Sequence, residues 1–240
     1  MGEHRVTRAV ILAAGRGSRL APLTDTLPKP LVPVSGVPII ATILDALKEA
    51  GISSITIVRG YCGAAFDMLH AEYPHLSYID NPDWMAANNI SSIALAGRAG
   101  MLADSYVIEG DLYLTNPAII TPTQERTNYI AFPVESTDDW CFDTDAAGRI
   151  TGIGVGCARP CHQMLGLSYW TAEDGARLAD CANALYAEEQ YRQLYWDEIA
   201  LKYYLPEFSI HIRECAREDV WEIDTVEELR ALEERMKYMG

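Results

Sequence analysis

Residues 10–31 of this 240-residue chain read "VILAAGRGSRLAPLTDTLPKPL" and join a buried strand to a loop rich in glycine and positive charge. The apolar run predicts a strand over Ala9–Ala13, because short apolar runs that stop at turn residues are typical of buried strands. Gly15 and Gly17 follow at once. Glycines allow backbone N–H groups to approach an anion closely, so the loop is suited to an anionic ligand.

The loop matches neither of two familiar nucleotide-binding patterns. Gly15 and Gly17 are followed by SRL at 18–20, which lacks the last glycine of a dinucleotide fingerprint, and a Walker A sequence is absent. Arg19 and Lys29 nevertheless add two positive charges close to the glycines. The loop therefore predicts a phosphate-binding site of another type.

The charge distribution supports a small anionic ligand. The net charge is −15, which argues against nucleic acid as a partner because phosphate backbones need a basic surface. Residues 1–30 carry five basic and two acidic side chains, a balance of +3, whereas the other 210 residues carry 14 basic and 32 acidic, a balance of −18. The opening loop is thus a positive spot on an acidic protein.

The sequence also predicts where the protein works. No segment approaches the roughly 18 consecutive apolar residues of a membrane span, and the N-terminal MGEHRVTRAV lacks a signal-peptide apolar region. We expect a cytoplasmic protein without a membrane partner. Among the six cysteines, the nearest approach to a metal cluster is Cys157, Cys161 and His162 in CARPCH, without a second pair at zinc-ribbon spacing. We expect free thiols.

Strand and helix patterns alternate through the first half of the chain, which predicts parallel strands with right-handed crossovers. In such sheets ligands bind at the carboxyl ends of the strands, where both the opening loop and Asp111 lie. The second half has more strands, a hairpin turn at 145–150, helices over 172–187 and 189–204, and a closing helix capped by Thr225. We expect an α/β, Rossmann-like fold: a mixed, mainly parallel sheet flanked by helices, with a small β-rich lid or extension.

The motif L-A-A-G-x-G-S-R-L followed by P-K-P-L resembles the signature of the sugar-phosphate nucleotidyltransferase superfamily. From about residue 8 to 236 the chain is similar to the bacterial CTP:phosphocholine cytidylyltransferases and their relatives, the 2-aminoethylphosphonate cytidylyltransferases. The narrower matches are NNISS at 88–92, YVIEGDLYL at 106–114, DDWCF at 138–142, LYWDE at 194–198 and WEID at 221–224. The choline branch more often has Asp-Ala-Asp or similar where this chain has Glu-Gly-Asp at 109–111.

The resemblance implies a single domain over residues 1–240 with the nucleotidyltransferase type A fold. A nucleotide-binding half would span about 8–125 and an acceptor-binding half about 126–240. It also implies a CTP-dependent cytidylyltransferase that releases pyrophosphate. The attacking phosphate or phosphonate oxygen is already anionic at neutral pH, and the sequence offers no nucleophile–base pair, in keeping with such a reaction.

Several site residues follow from the resemblance. Lys29, Arg19 and Asp111 would be catalytic, and Asp111 and Asp224 would hold Mg²⁺, which prefers carboxylate and phosphate oxygens. The residues implied to bind the nucleotide are Ala13, Gly15, Arg16, Gly17, Asn88, Asn89 and Ser92. Arg16 could instead be a solvated neighbour, and the Asn and Ser residues could simply cap a helix.

The acceptor would be a small zwitterion whose ammonium group lies among aromatic and acidic side chains. The residues implied are Asp139, Trp140, Tyr195, Trp196, Asp197 and Glu222. A quaternary ammonium is held by aromatic faces, whereas a primary ammonium also needs hydrogen-bond acceptors. Phosphocholine and 2-aminoethylphosphonate therefore both remain candidates.

Two other functions are weighed. A sugar-1-phosphate nucleotidyltransferase would share the fold, but the chain is short and lacks an obvious Gly-Gly-Thr-type sugar segment. A non-catalytic nucleotide-sensing domain would often lack the metal carboxylates or the loop lysine, which this chain retains. Oligomeric state and pathway have no signature in the sequence, and the chain could equally be one module of a longer protein.

Overall fold

A computed structural model describes residues 2–238, and its centre is a parallel sheet. The first half of the chain supplies four adjacent parallel strands in the order β4-β1-β2-β3. The elements are β1 (Arg8–Ala13), α1 (Ile39–Glu49), β2 (Ser54–Arg59), β3 (Ser77–Asp80), α2 (Ile90–Arg98) and β4 (Ser105–Glu109). The connection between β2 and β3 is a 3-10 helix, Gly63–Ala71.

The second half of the chain extends this sheet. Its elements are β5 (Leu112–Leu114), β6 (Asn128–Val134), β7 (Thr137–Thr144), β8 (Ile150–Cys157), β9 (Cys161–Trp170), α3 (Ala172–Tyr186), β10 (His211–Glu214), β11 (Val220–Glu222) and α4 (Val226–Met236). β9 pairs antiparallel with β4, β7 and β6, and β8 lies outside β7, so that nine strands form one mixed sheet. β5 and β11 form a separate antiparallel pair. The predicted α/β class and mixed sheet are confirmed.

Apolar side chains alternate along β1 and cover both faces of the sheet, as the two-residue repeat of a strand requires. Ile11 joins the cluster under α1, whose Ile43 and Leu47 are fully buried. Val10 joins the cluster on the opposite face, under α2 and α3. Helices on both faces leave the carboxyl ends of the strands as the open edge.

The closing helix and the hairpin are confirmed, whereas one predicted helix is wrong. The Thr225 hydroxyl accepts the backbone N–H of Glu228 at 3.2 Å and caps α4. Residues 189–204 form a 3-10 turn at Glu189–Tyr191 and, after a break, a helical segment made of Trp196–Glu198 and the π-helical Ile199–Tyr203, instead of one continuous helix. The helix begins again at Trp196, whose backbone N–H donates a hydrogen bond to the Asn89 side chain at 2.8 Å. This long-range bond has no signal in the local sequence.

Within residues 2–238, every helix is too short or too polar to cross a lipid bilayer.

Candidate active site

A cavity of about 750 Å³ opens at the carboxyl ends of β1 and β4. The first half of the chain contributes the loop after β1, the start of α2 and the residues that end β4. The second half contributes the start of β7, the middle of β9, residues 195–198 and the end of β11. The cavity therefore lies between the two halves, at the sheet edge that the strand order predicts for ligands.

The loop after β1 packs closely over Lys29 because of Gly17. Gly17 has φ +66°, and a Cβ atom there would lie 2.6 Å from Cβ of Lys29. The Gly17 carbonyl accepts the Thr24 hydroxyl at 2.9 Å and the Leu20 N–H at 3.0 Å, which closes the loop. Gly15 lines the cavity and has open space in front of it. The glycines thus serve different purposes: one allows close packing and the other leaves room for a ligand.

A buried ammonium group joins three distant parts of the chain. Lys29 is only 6% exposed, and its Nζ lies 2.7 Å from Oδ2 of Asp111 and 2.5 Å from Oδ1 of Asp224. Arg19 contacts the other oxygen of Asp224 at 2.9 Å. Burial alone would lower the pKa of Lys29, but the two aspartates outweigh it and raise the pKa, so the ammonium stays charged.

The same aspartates are suited to a divalent cation. Oδ1 of Asp111 is buried and has no hydrogen-bond partner among the described residues. An unpaired buried carboxylate oxygen is costly, and a hard cation bound there would remove that cost. Carboxylate oxygens of Glu109, Asp111 and Glu222 also lie within 4.8 Å of one another. The oxygen donors needed for Mg²⁺ are therefore present at the predicted position.

Glu109 is the most important site residue that the sequence did not predict. It ends β4, and its Oε1 accepts the Asn89 amide and the Trp196 indole N–H, both at 3.2 Å. Gly166 of β9 makes room for it, since a Cβ atom there would lie 2.5 Å from Oε2 of Glu109. A carboxylate is thus held at the junction of the two halves.

The acidic side chains of the cavity raise one another's proton affinity. Burial, followed by the neighbouring carboxylates, raises the pKa of Glu109 well above its ordinary value. Burial and the charges of Asp111 and Asp224 raise the pKa of Glu222 to about 8. Burial raises the pKa of Asp197 to about 7. This concentration of carboxyl groups favours cations, because a bound cation offsets the repulsion that otherwise retains protons.

Aromatic rings form part of the cavity wall. Trp140 and Tyr195 line the cavity with ring centroids 6.1 Å apart, in an edge-to-face arrangement. Asp139 lies beside them and accepts the Gln163 amide at 3.3 Å. The wall therefore combines aromatic faces with a carboxylate, as the sequence predicts.

The asparagines and serines around α2 line the cavity, and the Asn89 side chain does not cap the helix. Asn89 occupies the cap position without a side-chain cap bond, and its amide instead bonds Glu109 and the Trp196 backbone. The Asn81 amide donates to the hydroxyls of Ser91 and Ser92 at 2.9 and 3.0 Å. Helix capping is therefore excluded as the explanation for Asn89, whereas Oδ1 of Asn88 accepts the backbone N–H of Asn89 at 2.7 Å.

Two predicted site residues do not line the cavity. Arg16 points outward, 3.8 Å from Asp25 and over the ring of Tyr61. Trp196 is fully buried and stacks on Tyr129 with centroids 5.7 Å apart, so its ring belongs to the core and only its N–H reaches Glu109. The prediction that Trp196 faces an acceptor is corrected on this point: its apolar ring is packed against other aromatics rather than exposed to a ligand. The other predicted residues line the cavity: Ala13, Gly15, Gly17, Arg19, Lys29, Asn88, Asn89, Ser92, Asp111, Asp139, Trp140, Tyr195, Asp197, Glu222 and Asp224.

The sequence interpretation missed several lining residues. They are Asn81, Trp84, Glu109, Thr137 and Glu198. Glu109 stands two residues before Asp111 at the end of a strand, and Asn81 directly follows β3, so their positions at the carboxyl edge were a usable signal. The other three residues reach the cavity through packing between distant parts of the chain.

Comparison with known proteins agrees with this geometry. A family model described as the MobA-like NTP transferase domain matches residues 9–187. The chain belongs to this family. A 2-aminoethylphosphonate cytidylyltransferase from Lancefieldella rimae is 36% identical over 234 residues, covering 97% of this chain and 94% of that protein. A choline-phosphate cytidylyltransferase from Streptococcus pneumoniae is 31% identical over 230 residues, covering 96% and 98%.

The solved structure of the CTP:phosphocholine cytidylyltransferase from Streptococcus pneumoniae has the same fold. Its TM-score to this chain is 0.88 with 31% identity, over 95% of this chain and 98% of that one. The predictions of the cytidylyltransferase branch and of a nucleotidyltransferase enzyme are thereby confirmed.

Gly166→Ala tests the placement of Glu109. The added methyl group has no room beside the carboxylate, so we expect nucleotidyl transfer, measured by pyrophosphate release, to fall more than about ten-fold from misplacement of a site group. Gly154→Ala is the matched control, since it lies on β8 of the same sheet with nothing within 4 Å of a Cβ atom. Equal activity of the two folded variants would contradict the role of Glu109.

Proposed function

We propose that this protein transfers CMP from CTP to a small phosphonate or phosphate that carries an ammonium group, with 2-aminoethylphosphonate the preferred acceptor. The observation that carries the proposal is the buried Lys29–Asp111–Asp224 centre, which faces an aromatic and acidic wall across one cavity. The relatives that act on 2-aminoethylphosphonate and choline phosphate support the nucleotide and the class of acceptor.

In this proposal the loop after β1 and Lys29 bind the triphosphate. An acceptor oxygen, already anionic, forms a bond to the α-phosphorus of CTP while the bond from that phosphorus to the pyrophosphate oxygen breaks. No proton has to be removed from the acceptor. Lys29 and Arg19 neutralise charge on the phosphates, and the walls of the cavity hold the two substrates in line.

Asp111 and Asp224 would hold Mg²⁺. When bound, Mg²⁺ supplies charge that neutralises phosphate oxygens and orients them. The unpaired Oδ1 of Asp111 is the donor atom that best supports this assignment. Lys29 lies between the same two carboxylates, so its ammonium is well placed to turn towards phosphate when a cation replaces it.

The proposed preference for a primary ammonium follows from the balance between aromatic and acidic side chains. Trp196, which the sequence assigned to the acceptor, packs in the core. The aromatic faces that the wall presents to a ligand are therefore those of Trp140 and Tyr195. Carboxyl groups outnumber them in the cavity as a whole, with Glu109, Asp139 and Glu222 all lining it. A primary ammonium can donate hydrogen bonds to them, whereas a trimethylammonium cannot.

Phosphocholine is the second candidate, because the pair of Trp140 and Tyr195 still offers two faces to a quaternary ammonium. A substrate panel distinguishes them: 2-aminoethylphosphonate, phosphocholine, phosphoethanolamine and glucose-1-phosphate, each with the four nucleoside triphosphates. We expect the highest kcat/KM with CTP and 2-aminoethylphosphonate. A preference for glucose-1-phosphate would refute the proposal.

Lys29→Ala tests the phosphate-binding role. Removing a positioned positive charge from the reacting phosphates should lower kcat at least roughly 100-fold. Lys48→Ala, an exposed lysine on α1, is the matched control and should retain full activity. Because Lys29 is buried, a thermal melt must first show that the variant folds. Near-normal turnover in a folded Lys29→Ala protein would rule out the role.

Asp224→Asn tests the metal assignment. The amide keeps the shape of the side chain but removes the charge that attracts a cation, so activity at millimolar Mg²⁺ should fall at least about 100-fold. Asp180→Asn, exposed on α3, is the control. A Mg²⁺ titration of both variants measures the effect, and identical Mg²⁺ dependence would remove Asp224 from the metal site.

Trp140→Ala and Asp139→Asn test the acceptor wall. Loss of the aromatic face should lower kcat/KM for either acceptor by roughly ten-fold, from about 1–2 kcal/mol of cation–π binding, with KM for CTP unchanged. Asp139→Asn should reduce kcat/KM more for 2-aminoethylphosphonate than for phosphocholine. Tyr203→Ala, an exposed ring outside the cavity lining, is the control. If the wild-type protein used propylphosphonate, which lacks the amine, as efficiently as 2-aminoethylphosphonate, this would show that the wall binds no ammonium.

A further inference from the structure

Three cysteines from different strands converge away from the cavity. The Sγ atoms of Cys141, Cys157 and Cys161 all lie within 4.8 Å of one another. Cys141 and Cys161 are buried and Cys157 is partly exposed, and all three are free thiols. Among the described residues that line the cavity none is a cysteine, so this cluster is separate from the nucleotidyltransferase site.

The sheet topology explains why these thiols meet. β7 lies between β8 and β9, yet only residues 158–160 connect β8 to β9. The connection must therefore pass across β7. Cys157 and Cys161 stand at its two ends, and Cys141 lies on the strand that is crossed. The three thiols thus surround one point beneath a short crossing segment.

We propose that Cys141, Cys157 and Cys161 form a binding site for a thiophilic divalent cation, with Zn²⁺ as the best fit. Zinc binds thiolates at about 2.3 Å, which separates the sulfurs of a tetrahedral site by about 3.8 Å. The observed grouping requires only small side-chain movements to reach that spacing. Three sulfur ligands also exclude the hard cations that the carboxylates of the cavity favour.

A disulfide uses the cluster less well than a metal does. Cys141 pairs in register with Gln163 and Gly154, so Cys161 is diagonal to it and Cys157 lies one residue beyond the diagonal position. Diagonal Cα atoms lie about 7–8 Å apart, which exceeds the range of about 4.4–6.8 Å typical of disulfides. A bond between Cys157 and Cys161 would leave Cys141 unused. Only a metal engages all three.

The fourth ligand comes from water or from Asp143. His162 adjoins Cys161 in sequence, but its Nε2 already contacts Glu214 of β10 at 2.8 Å. Asp143, two residues after Cys141, is held by Arg159 of the crossing segment. The site differs in this way from the Cys157–Cys161–His162 group that CARPCH suggests: Cys141 replaces the histidine.

The cation would fasten the crossing segment to β7. Cys141 directly follows Trp140, which lines the cavity, so the fastened point adjoins the acceptor wall. The function of the metal is therefore structural: it fixes β7 between its neighbours at the position where that strand meets the cavity.

The test is a titration of the full-length, reduced and metal-free protein with Co²⁺, followed by displacement with Zn²⁺. We expect one equivalent of Co²⁺ to give thiolate-to-cobalt charge-transfer absorption, which carboxylate ligands do not produce. Cys141→Ser, Cys157→Ser and Cys161→Ser should each weaken binding at least about ten-fold, as expected for loss of a thiolate ligand. Cys181→Ser and Cys215→Ser are matched controls and should bind as the wild type does.

Hydrogen exchange of the wild-type protein with and without Zn²⁺ avoids dependence on variants that fail to fold. We expect amides at residues 155–163 to exchange at least about ten-fold more slowly when Zn²⁺ is bound. Absence of the thiolate band, an equal band in Cys141→Ser, or a Cys157–Cys161 disulfide in protein isolated with thiols protected would overturn the proposal. None of these outcomes bears on CMP transfer, so the two proposals fail independently.

Discussion

The ion pairs of Lys29 with Asp111 and Asp224 are the interaction on which the rest of the site depends. They join the loop after β1 to Asp111 and Asp224, which lie two residues beyond the ends of β4 and β11 and are far apart in sequence. A buried charge without partners is strongly unfavourable, so each of these segments is held in position by the other two. The cavity takes its shape around this centre, with glycines wherever the backbone must approach closely.

The second constraint is the excess of carboxyl groups. Glu109, Glu222 and Asp197 lie around one cavity, and burial raises the pKa of all three, with repulsion from neighbouring carboxylates adding to the rise. Such an arrangement costs stability in the free protein, and functional sites are where costs of this kind concentrate. Cations would offset this repulsion, which supports the proposed preference for ligands that bring positive charge together with phosphate.

The sequence predicts the parallel core and most of the cavity because both depend on local signals. Apolar runs that end at glycine or aspartate define β1 and β4, and the carboxyl-edge rule then groups Gly15, Lys29 and Asp111. The errors arise where long-range packing prevails. Trp196 carries no mark that separates a core ring from a ligand-facing one, and the break in the predicted 189–204 helix depends on a bond to Asn89 from another part of the chain. The thiol cluster could not be predicted from local signals either, since it depends on the strand order.

The position of Lys29 has a thermodynamic consequence for ligand binding. In the proposed function, a cation bound to Asp111 and Asp224 would compete with the ammonium, because the ammonium already contacts one oxygen of each. A triphosphate would in turn compete with the two carboxylates for the same ammonium. Cation and triphosphate would therefore each free a partner that the other needs, and their binding free energies would be coupled in both directions. Synergy of this kind is a property of the charge arrangement itself and needs no movement of the sheet.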